Sequence, residues 1–446
     1  MTNGALEIRG GTLISGTGDK PLSDATVRMV GGSIAAVWSG SARPPEAATP
    51  AASVFDATGM TVMPGLIDAH CHISYGEARS AEEADVYGGA EWSAVRAVWN
   101  AGKVLRAGVT TICDCGSTWN TAVTARDAIA NGMFPGPRIV AAGRHIVADG
   151  GFADYYPSWL GMPVSAEGVL CPTPQDMVRE VRRQVKNRVE VIKVSGDSQA
   201  QDTRLEVGPC FSDDEFQLIA KTAKALGRKL TIHSRYAETV LAAVRAGFDW
   251  VIHASYMRPQ DIGFVRDSGV AICPTITFTA NIVEWGKDVG VDPNYIEVKK
   301  RELDALSDIH RRAHAAGIPM MSGSEAGFSV TPYGQWHTRE MELLVELVGL
   351  TPAEAILAGT RNNAKALGIA DQVGTVVPGL AADLLVVQGD PLADLRILGQ
   401  PDRIRAVFKG GAQVERSAGP VPERRRMSHE RGFGVSARVL NRADTR

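Results

Sequence analysis

The segment Pro64-Gly65-Leu66-Ile67-Asp68-Ala69-His70-Cys71-His72 sets two imidazoles two residues apart at the end of an apolar run. In an extended strand residues i and i+2 share a face, so His70 and His72 can close on one cation together. Imidazole nitrogen suits Zn2+ and its first-row neighbours. The competing reading is a pair of polar positions on a wet strand face. Two more histidines end apolar runs: His233 closes Leu230-Thr231-Ile232-His233, and His253 closes Val251-Ile252-His253. Alone, each is more often a hydrogen-bonded core histidine; together, at matching strand ends, they make a sharper pattern. Lys193 lies in Val191-Ile192-Lys193-Val194, where a buried ammonium is costly unless paired or chemically altered. A lysine reaching out at a rim is the alternative there.

Other residues carry weaker claims. His310 and His314 stand four apart, but Arg311-Arg312-Ala313 between them lacks the glutamate of a zincin motif. With His337 and His429 they read as solvated histidines. Cys113-x-Cys115 has no second pair for a zinc ribbon and reads as strand packing, and Cys71 must point away from a cation held by its neighbours.

These residues need a frame that brings strand ends together. Apolar runs at 61–70, 109–114, 138–143, 190–195, 229–234, 250–254, 270–274 and 318–322 alternate with helical stretches at 82–105, 173–186, 213–226, 237–246, 296–316 and 352–367. Ser212-Asp213-Asp214-Glu215 and Thr351-Pro352-Ala353-Glu354 match the capping box that opens a helix. The expected fold class is α/β, a (β/α)8 TIM barrel with its functional residues at the C-terminal strand ends. Short strands and turns recur near both chain ends, which predicts a small β-sandwich built from both. The expected domains are 1–63 with 368–415 for the sandwich, 64–367 for the barrel, and 416–446 as an Arg-rich tail, disordered or an oligomer arm.

Composition narrows the class. The 446 residues carry 47 Lys+Arg against 50 Asp+Glu, a net charge of −3, and are 44% hydrophobic. That balance gives no field for nucleic acid or an anionic membrane. No apolar run approaches the ~18 residues of a membrane span, and residues 1–20 lack a basic-then-apolar secretory signal. Six scattered cysteines in a chain of this size read as reduced thiols. A cytoplasmic enzyme is expected.

At this point the chain resembles the amidohydrolase superfamily, in its imidazolonepropionase-like and Xaa-Pro dipeptidase-like branch, over nearly its whole length to about residue 415. The resemblance rests on the Pro64–His72 segment, Gly108-Val109-Thr110-Thr111, Gly136-Pro137-Arg138, Ile192-Lys193-Val194, Gly323-Ser324-Glu325-Ala326-Gly327-Phe328 and Gly379-Leu380-Ala381-Ala382-Asp383-Leu384. It implies two divalent metal ions, most simply Zn2+, in a binuclear centre bridged by a carbamylated Lys193 (a carboxylysine). His70 and His72 would ligate the more buried metal, and His233 and His253 the second. It also implies oxyanion-stabilising roles for Tyr236, three residues after His233, and for His145 after the third strand. No other cofactor is implied.

One position departs from the family. Its strand-eight Gly-Thr-Asp is Gly323-Ser324-Glu325 here, which moves the carboxylate by one methylene, ~1.5 Å. Three roles stay open for Glu325: ligand and base, base alone beside the metal, or neither. The family's Gly-Gly-His in the loop after His145 is Gly150-Gly151-Phe152, and Asp197 is the next candidate for proton acceptor. Arg235 could hold a substrate carboxylate, against the plainer reading of a rim arginine in a surface ion pair.

The expected function is hydrolysis of a C–N bond (amide, peptide-like, urea or carbamate) by metal-bound hydroxide with a carboxylate general base. The alternatives are a cyclic-amide hydrolase or deaminase on the same scaffold, and a catalytically dead assembly protein. The expected partners are a small-molecule substrate, leaning apolar or aryl from Trp119, Tyr155, Tyr156, Trp159, Phe278, Trp285 and Trp336, and further copies of the chain in a homo-oligomer.

Overall fold

Strands buried on both faces are written in near-continuous apolar residues, and three here, Leu66–Cys71, Val109–Asp114 and Val191–Ser195, are buried at every position. The computed structural model describes residues 4–47, 49, 51–198 and 208–417. The expected Arg-rich arm lies outside these residues from position 418 on.

Leu66–Cys71 pairs in parallel with Val109–Asp114, and that strand with Arg138–Ala141. Val191–Ser195, Lys229–Tyr236, Trp250–Tyr256 and Ala271–Cys273 pair in parallel in that order. Backbone bonds join the two sets at both sides. Glu190 N donates to Ala141 O at 2.9 Å, beside a parallel bridge from Ala142 to Val191. Met321 N donates to Ile272 O at 2.8 Å, and Ala69 N to Ser322 O at 3.0 Å, so residues 318–322 link the last paired strand to the first. That segment makes bridges rather than the expected regular strand. Pro319 brings no N–H, and Ser322 N turns to the Asn363 side chain.

Helices follow the strands. Both capping boxes form, Ser212 with Glu215 and Thr351 with Glu354. The single helix expected over 82–105 is two, Ala81–Asp85 and Ala90–Arg106, because Gly88-Gly89 interrupts it. The expected strand 61–70 is also divided. Met60–Pro64 joins the terminal sheet, and Leu66–Cys71 starts the parallel set. Gly65 sits at the division, where a Cβ would lie 2.2 Å from Thr110 Oγ1.

The two chain ends meet in one hydrogen-bonded sheet of eight strands. Its order is Ala412–Gln413, Ile404–Lys409, Leu384–Gln388, Met60–Pro64, Leu6–Leu13, Leu22–Val30 and Ser33–Ser39, with Ser53–Asp56 beside Leu6–Leu13. Ile8, Val27, Ile34, Val62, Leu384, Val386 and Phe408 form its core. Asp383 ties this sheet to the parallel strands, accepting from Arg138 Nη1 and from Gly410 N, each at 2.7 Å. No described helix is long and apolar enough to cross a membrane.

Asn363 fastens the first strand to the segment at 318–322. Its Nδ2 donates to Ile67 O at 2.6 Å and Ser322 O at 2.7 Å, and its Oδ1 accepts from Ser322 N at 3.2 Å. Asn363→Ala removes all three bonds and leaves the buried Ser322 N without its acceptor, while Ser322 O keeps Ala69 N. At roughly 1–3 kcal/mol for an orphaned group, partly relieved by relaxation, a loss of about 3 kcal/mol is expected. Urea unfolding followed by circular dichroism measures it, and an unchanged midpoint would show that the clamp is dispensable.

Candidate metal centre and active site

His70 and His72 leave the first strand with their Nε2 atoms 3.0 Å apart. His72 Nδ1 lies 3.0 Å from Gly116 O. Only an N–H can face a carbonyl, so Nδ1 carries the proton and Nε2 keeps its lone pair. Thr275 Oγ1 meets His70 Nδ1 at 3.0 Å. Burial pushes His70 well below the usual imidazole range and His72 down to about 3, so both rings are neutral at pH 7. The two Nε2 atoms face each other, with the His72 lone pair aimed at His70. Their spacing is close to the ~3.3 Å edge of a tetrahedral zinc site.

A second pair forms at the ends of the fifth and sixth strands, where His253 Nε2 lies 3.0 Å from His233 Nδ1. The His70 and His253 rings are 5.7 Å apart between centroids, which brings the two pairs into one site. Lys193 is buried to 1% exposure, and its Nζ makes no hydrogen bond or ion pair with a described residue. Burial, and with it the Lys193 ammonium, holds all four imidazoles down. Burial likewise lowers Lys193 itself, against opposing pulls from Cys115 and Glu325.

Glu325 completes the first group. One carboxylate oxygen and one nitrogen from each of His70 and His72 all lie within 4.8 Å of one another. Its backbone is held on both sides, with Glu325 N donating to His70 O at 2.6 Å and Thr331 Oγ1 donating to Glu325 O at 2.7 Å. Its Oε2 is buried and has no hydrogen-bond partner. Burial pushes this carboxyl up to about 7, although Arg235, Lys299 and Lys193 pull the other way. Glu325, His253, Ala254 and Thr275 all have positive φ, from 55° to 75°. Non-glycine residues rarely adopt that region, and here they mark the strand ends around the centre.

A second layer of polar side chains aims these groups. Asp68 Oδ1 accepts from His70 N and Ser324 N, both at 3.0 Å, and Oδ2 accepts from Ser324 Oγ at 2.5 Å. Gly334 N donates to His337 Nε2 at 3.0 Å, so the His337 proton is on Nδ1 and goes to Asp68 Oδ2 at 2.6 Å. His337 is therefore part of the frame behind His70 and Glu325, not the solvated residue the sequence suggested. His310 corrects the same expectation, being fully buried. Its signal was present: Lys299, Glu302, Leu306, Ile309, His310 and Ala313 form the buried face of Pro293–Ala315 at helical spacing. His314 is partly exposed, and His429 lies outside the described residues.

His145 is brought against the first pair, its ring 6.1 Å from that of His72. Ser195 Oγ meets its Nδ1 at 3.0 Å, and its Nε2 is buried without a partner. Only a glycine at 116 allows this, since a Cβ there would lie 1.9 Å from His145 Nε2. Tyr236 is half-buried and stacks on Tyr256 at 5.2 Å, with no hydrogen bond to the four histidines. Asp197 is buried and pushed up to about 7 by burial, with Oδ2 3.8 Å from His233 Nε2. Phe152 stacks face to face on His233 at 3.8 Å. Arg235 is not at a rim: its side chain is 13% exposed, bonds Glu302, and sets Nη1 2.7 Å from His233 Nε2. Among the aromatic residues singled out for a substrate, Trp159 is 83% exposed, and Trp285 and Trp336 pack on each other and on Arg339.

The donor set fits divalent metal ions. Neutral imidazoles in facing pairs and a carboxylate oxygen without a partner are donors such ions take. Removing the Asp68 partner tests the frame: His337→Ala is expected to weaken zinc binding by about tenfold, the lower end for outer-layer partners of metal ligands. Competition against a chromophoric chelator reads that affinity, and an unchanged value would detach His337 from the centre.

Known proteins resemble this chain in sequence and fold. A model of the amidohydrolase family matches residues 61–414. Ochratoxinase of Aspergillus niger is 27% identical over 301 residues, 64% of this chain, and the chain spans 61% of that relative's length. Imidazolonepropionase of Thermoplasma volcanium is 24% identical over 381 residues, covering 80% of this chain and 84% of that protein. A solved Xaa-Pro dipeptidase with methionine bound in its active site superposes with a TM-score of 0.81 at 27% identity, over 92% of this chain and 100% of that one. With a match running from the first histidine pair through the last strands of the terminal sheet, the chain belongs to the amidohydrolase family.

Proposed function

We propose that this protein is a metal-dependent hydrolase cleaving the C–N bond of an amide, peptide-like, urea or carbamate substrate. The reading includes a (β/α)8 barrel over 64–367 with a small β-sandwich domain from 1–63 and 368–415. The observation that carries it is the convergence of His70, His72 and Glu325 within 4.8 Å, with a second histidine pair and an unpartnered buried lysine alongside.

His70, His72 and Glu325 would hold one divalent ion and His233 and His253 the other, most simply Zn2+, with Lys193 carbamylated between them. Bound there, the ions supply Lewis acidity and a water acidic enough to ionise near neutral pH. Carbamylation turns the Lys193 ammonium into an anion and removes the problem of a buried, unpaired cation. Glu325 takes up the water's proton at its free Oε2 and delivers it to the leaving nitrogen. The unpartnered Nε2 of His145 donates to the carbonyl oxygen as negative charge develops there, with Tyr236 as a further donor from the fifth strand. Asp197 accepts a hydrogen bond from His233 Nε2–H when Nδ1 is engaged, a change that requires Arg235 Nη1 to leave that nitrogen.

Two substitutions test this. Glu325→Gln keeps the shape but cannot accept a proton, and should lower kcat on a cleaved anilide by about 10³-fold. Its zinc content, read by elemental analysis, separates a ligand from a pure base: loss marks the former, retention the latter. Near-normal turnover would exclude both. Lys193→Ala should strip most metal and activity, with short carboxylic acids restoring part of each. Full metal occupancy in that variant would rule out a bridging role.

A further inference from the structure

The helix Ala90–Arg106 buries one face, on Ala97, Ala101, Val104 and Leu105, and turns a second apolar stripe to solvent. Trp92, Val95 and Trp99 lie three and four residues apart and are 52%, 66% and 40% exposed. Exposed apolar side chains scattered singly need no account. These are not scattered. Val86 and Tyr87, just before the helix, are exposed too. Tyr156 Oη donates to Asp85 Oδ2 at 3.2 Å and Glu167 N to Asp85 Oδ1 at 3.0 Å, which brings the loop bearing exposed Trp159, Leu160 and Val164 against them. At the other end Met133 and Phe134 are exposed. A Cβ on Gly136 nearby would lie 3.3 Å from Ala101 Cβ, so that segment runs beside the second half of the helix.

Taken as fractions of roughly 150–250 Å² for a whole large side chain, the exposed parts of these residues come to on the order of 1,000 Å². The largest apolar patch of an ordinary monomer is about 300–600 Å², and a standard interface takes about 800 Å² from each partner. The face has the size of an interface.

Two features select a second copy of this chain as its occupant. The stripe continues through Gly102 and Arg106, so positions 92, 95, 99, 102 and 106 repeat with the spacing of a coiled-coil seam. Outside the helix's own backbone, a Cβ on Gly102 would meet only the Arg106 guanidinium among the described residues. That glycine therefore lies on the outer face, under a side chain that can swing away, and leaves room for a large ring. An antiparallel copy lays Trp92 of each helix over Gly102 of the other and Val95 on Trp99. The charges complement themselves in the same arrangement. Glu82, Glu83 and Glu91 stand before and at the start of the helix, and Arg106 ends it. Antiparallel packing sets each acidic start against a basic end, and one surface satisfies itself about a two-fold axis. A parallel copy would set like charges together.

We infer that this face is the interface between two copies of the chain, packed about a two-fold axis with their Ala90–Arg106 helices antiparallel. Sedimentation velocity on the full-length protein over a dilution series tests it. The wild-type protein is expected to sediment as a dimer or an assembly of dimers. Val95→Glu sets a carboxylate into the seam from both copies and should weaken the pairing at least about 10²-fold. Val95 is largely exposed in the single chain, so this variant should keep its circular dichroism spectrum. Val95→Ile should keep the assembly. The arrangement is read separately: Glu91→Cys and Arg106→Cys proteins, mixed and oxidised, should form a disulfide with each other, and neither should form one alone. A wild-type protein that stays monomeric overturns the pairing, and one that does so while pelleting with phosphatidylcholine vesicles assigns the face to lipid instead. Assembly of undiminished affinity in Val95→Glu overturns it as well, since the copies then meet elsewhere. Disulfides within each single variant but not between the two overturn the antiparallel arrangement.

Discussion

The structure is organised around the burial of groups that ordinarily keep company with water. Four imidazoles, a lysine and a glutamate meet at the C-terminal ends of parallel strands, nearly all out of solvent. Burial, helped by nearby cations, makes the histidines neutral, and neutral nitrogen is what a metal ion binds. The same burial leaves imidazole nitrogens facing one another in two pairs, a carboxylate oxygen without a donor and an amine without an acceptor. Such a set is unfavourable as it stands and suits divalent metal ions. The strained backbone at His253, Ala254, Thr275 and Glu325 belongs to the same account, since positive φ at a non-glycine residue persists only where the surroundings enforce it.

What enforces it is a layer of buried polar side chains behind the site. Asp68 holds the backbone of His70 and Ser324 together, and His337 holds Asp68. Asp114, pushed up to about 8 by burial, accepts from Ile73 N at 2.8 Å and Gly116 N at 3.2 Å, fixing the loop whose carbonyl orients His72. Glu340 accepts from Ile276 N at 3.0 Å and Thr277 N at 2.8 Å, and so starts the helix Ile276–Trp285 directly after Thr275, the residue that meets His70. Each of these acids accepts from at least two backbone N–H groups, so position rather than charge is what it contributes.

The site is also uneven in charge. One side carries Arg235 and Lys299 over a single ionised Glu302, while aromatic rings of Phe152, Tyr75 and Phe328 pack on the histidines around it. Phe152 stands where the family resemblance leads one to expect a histidine, and it covers a face of His233 instead of offering another nitrogen. Loops and strand ends of this kind, more than the parallel strands beneath them, decide which substrate a member of the family takes.

Much of this was legible in the residues themselves. Apolar runs alternating with capped helices specify parallel strands with covering helices, because burial on two faces leaves no room for polar alternation. His-x-His at a strand end states its own geometry, since the two-residue repeat of a strand puts both rings on one side. A lysine inside such a run announces that something must compensate it. Tertiary structure alone decided the rest. The meeting of His70, His72 and Glu325 depends on residues some 250 positions apart being joined through Ala69 N, Ser322 O and Asn363. The buried roles of His337 and Arg235 depend on partners, Asp68 and Glu302, that share no local spacing with them. Local sequence determines which face of an element is apolar; which polar groups face one another across that apolar interior is settled only when the elements close on each other.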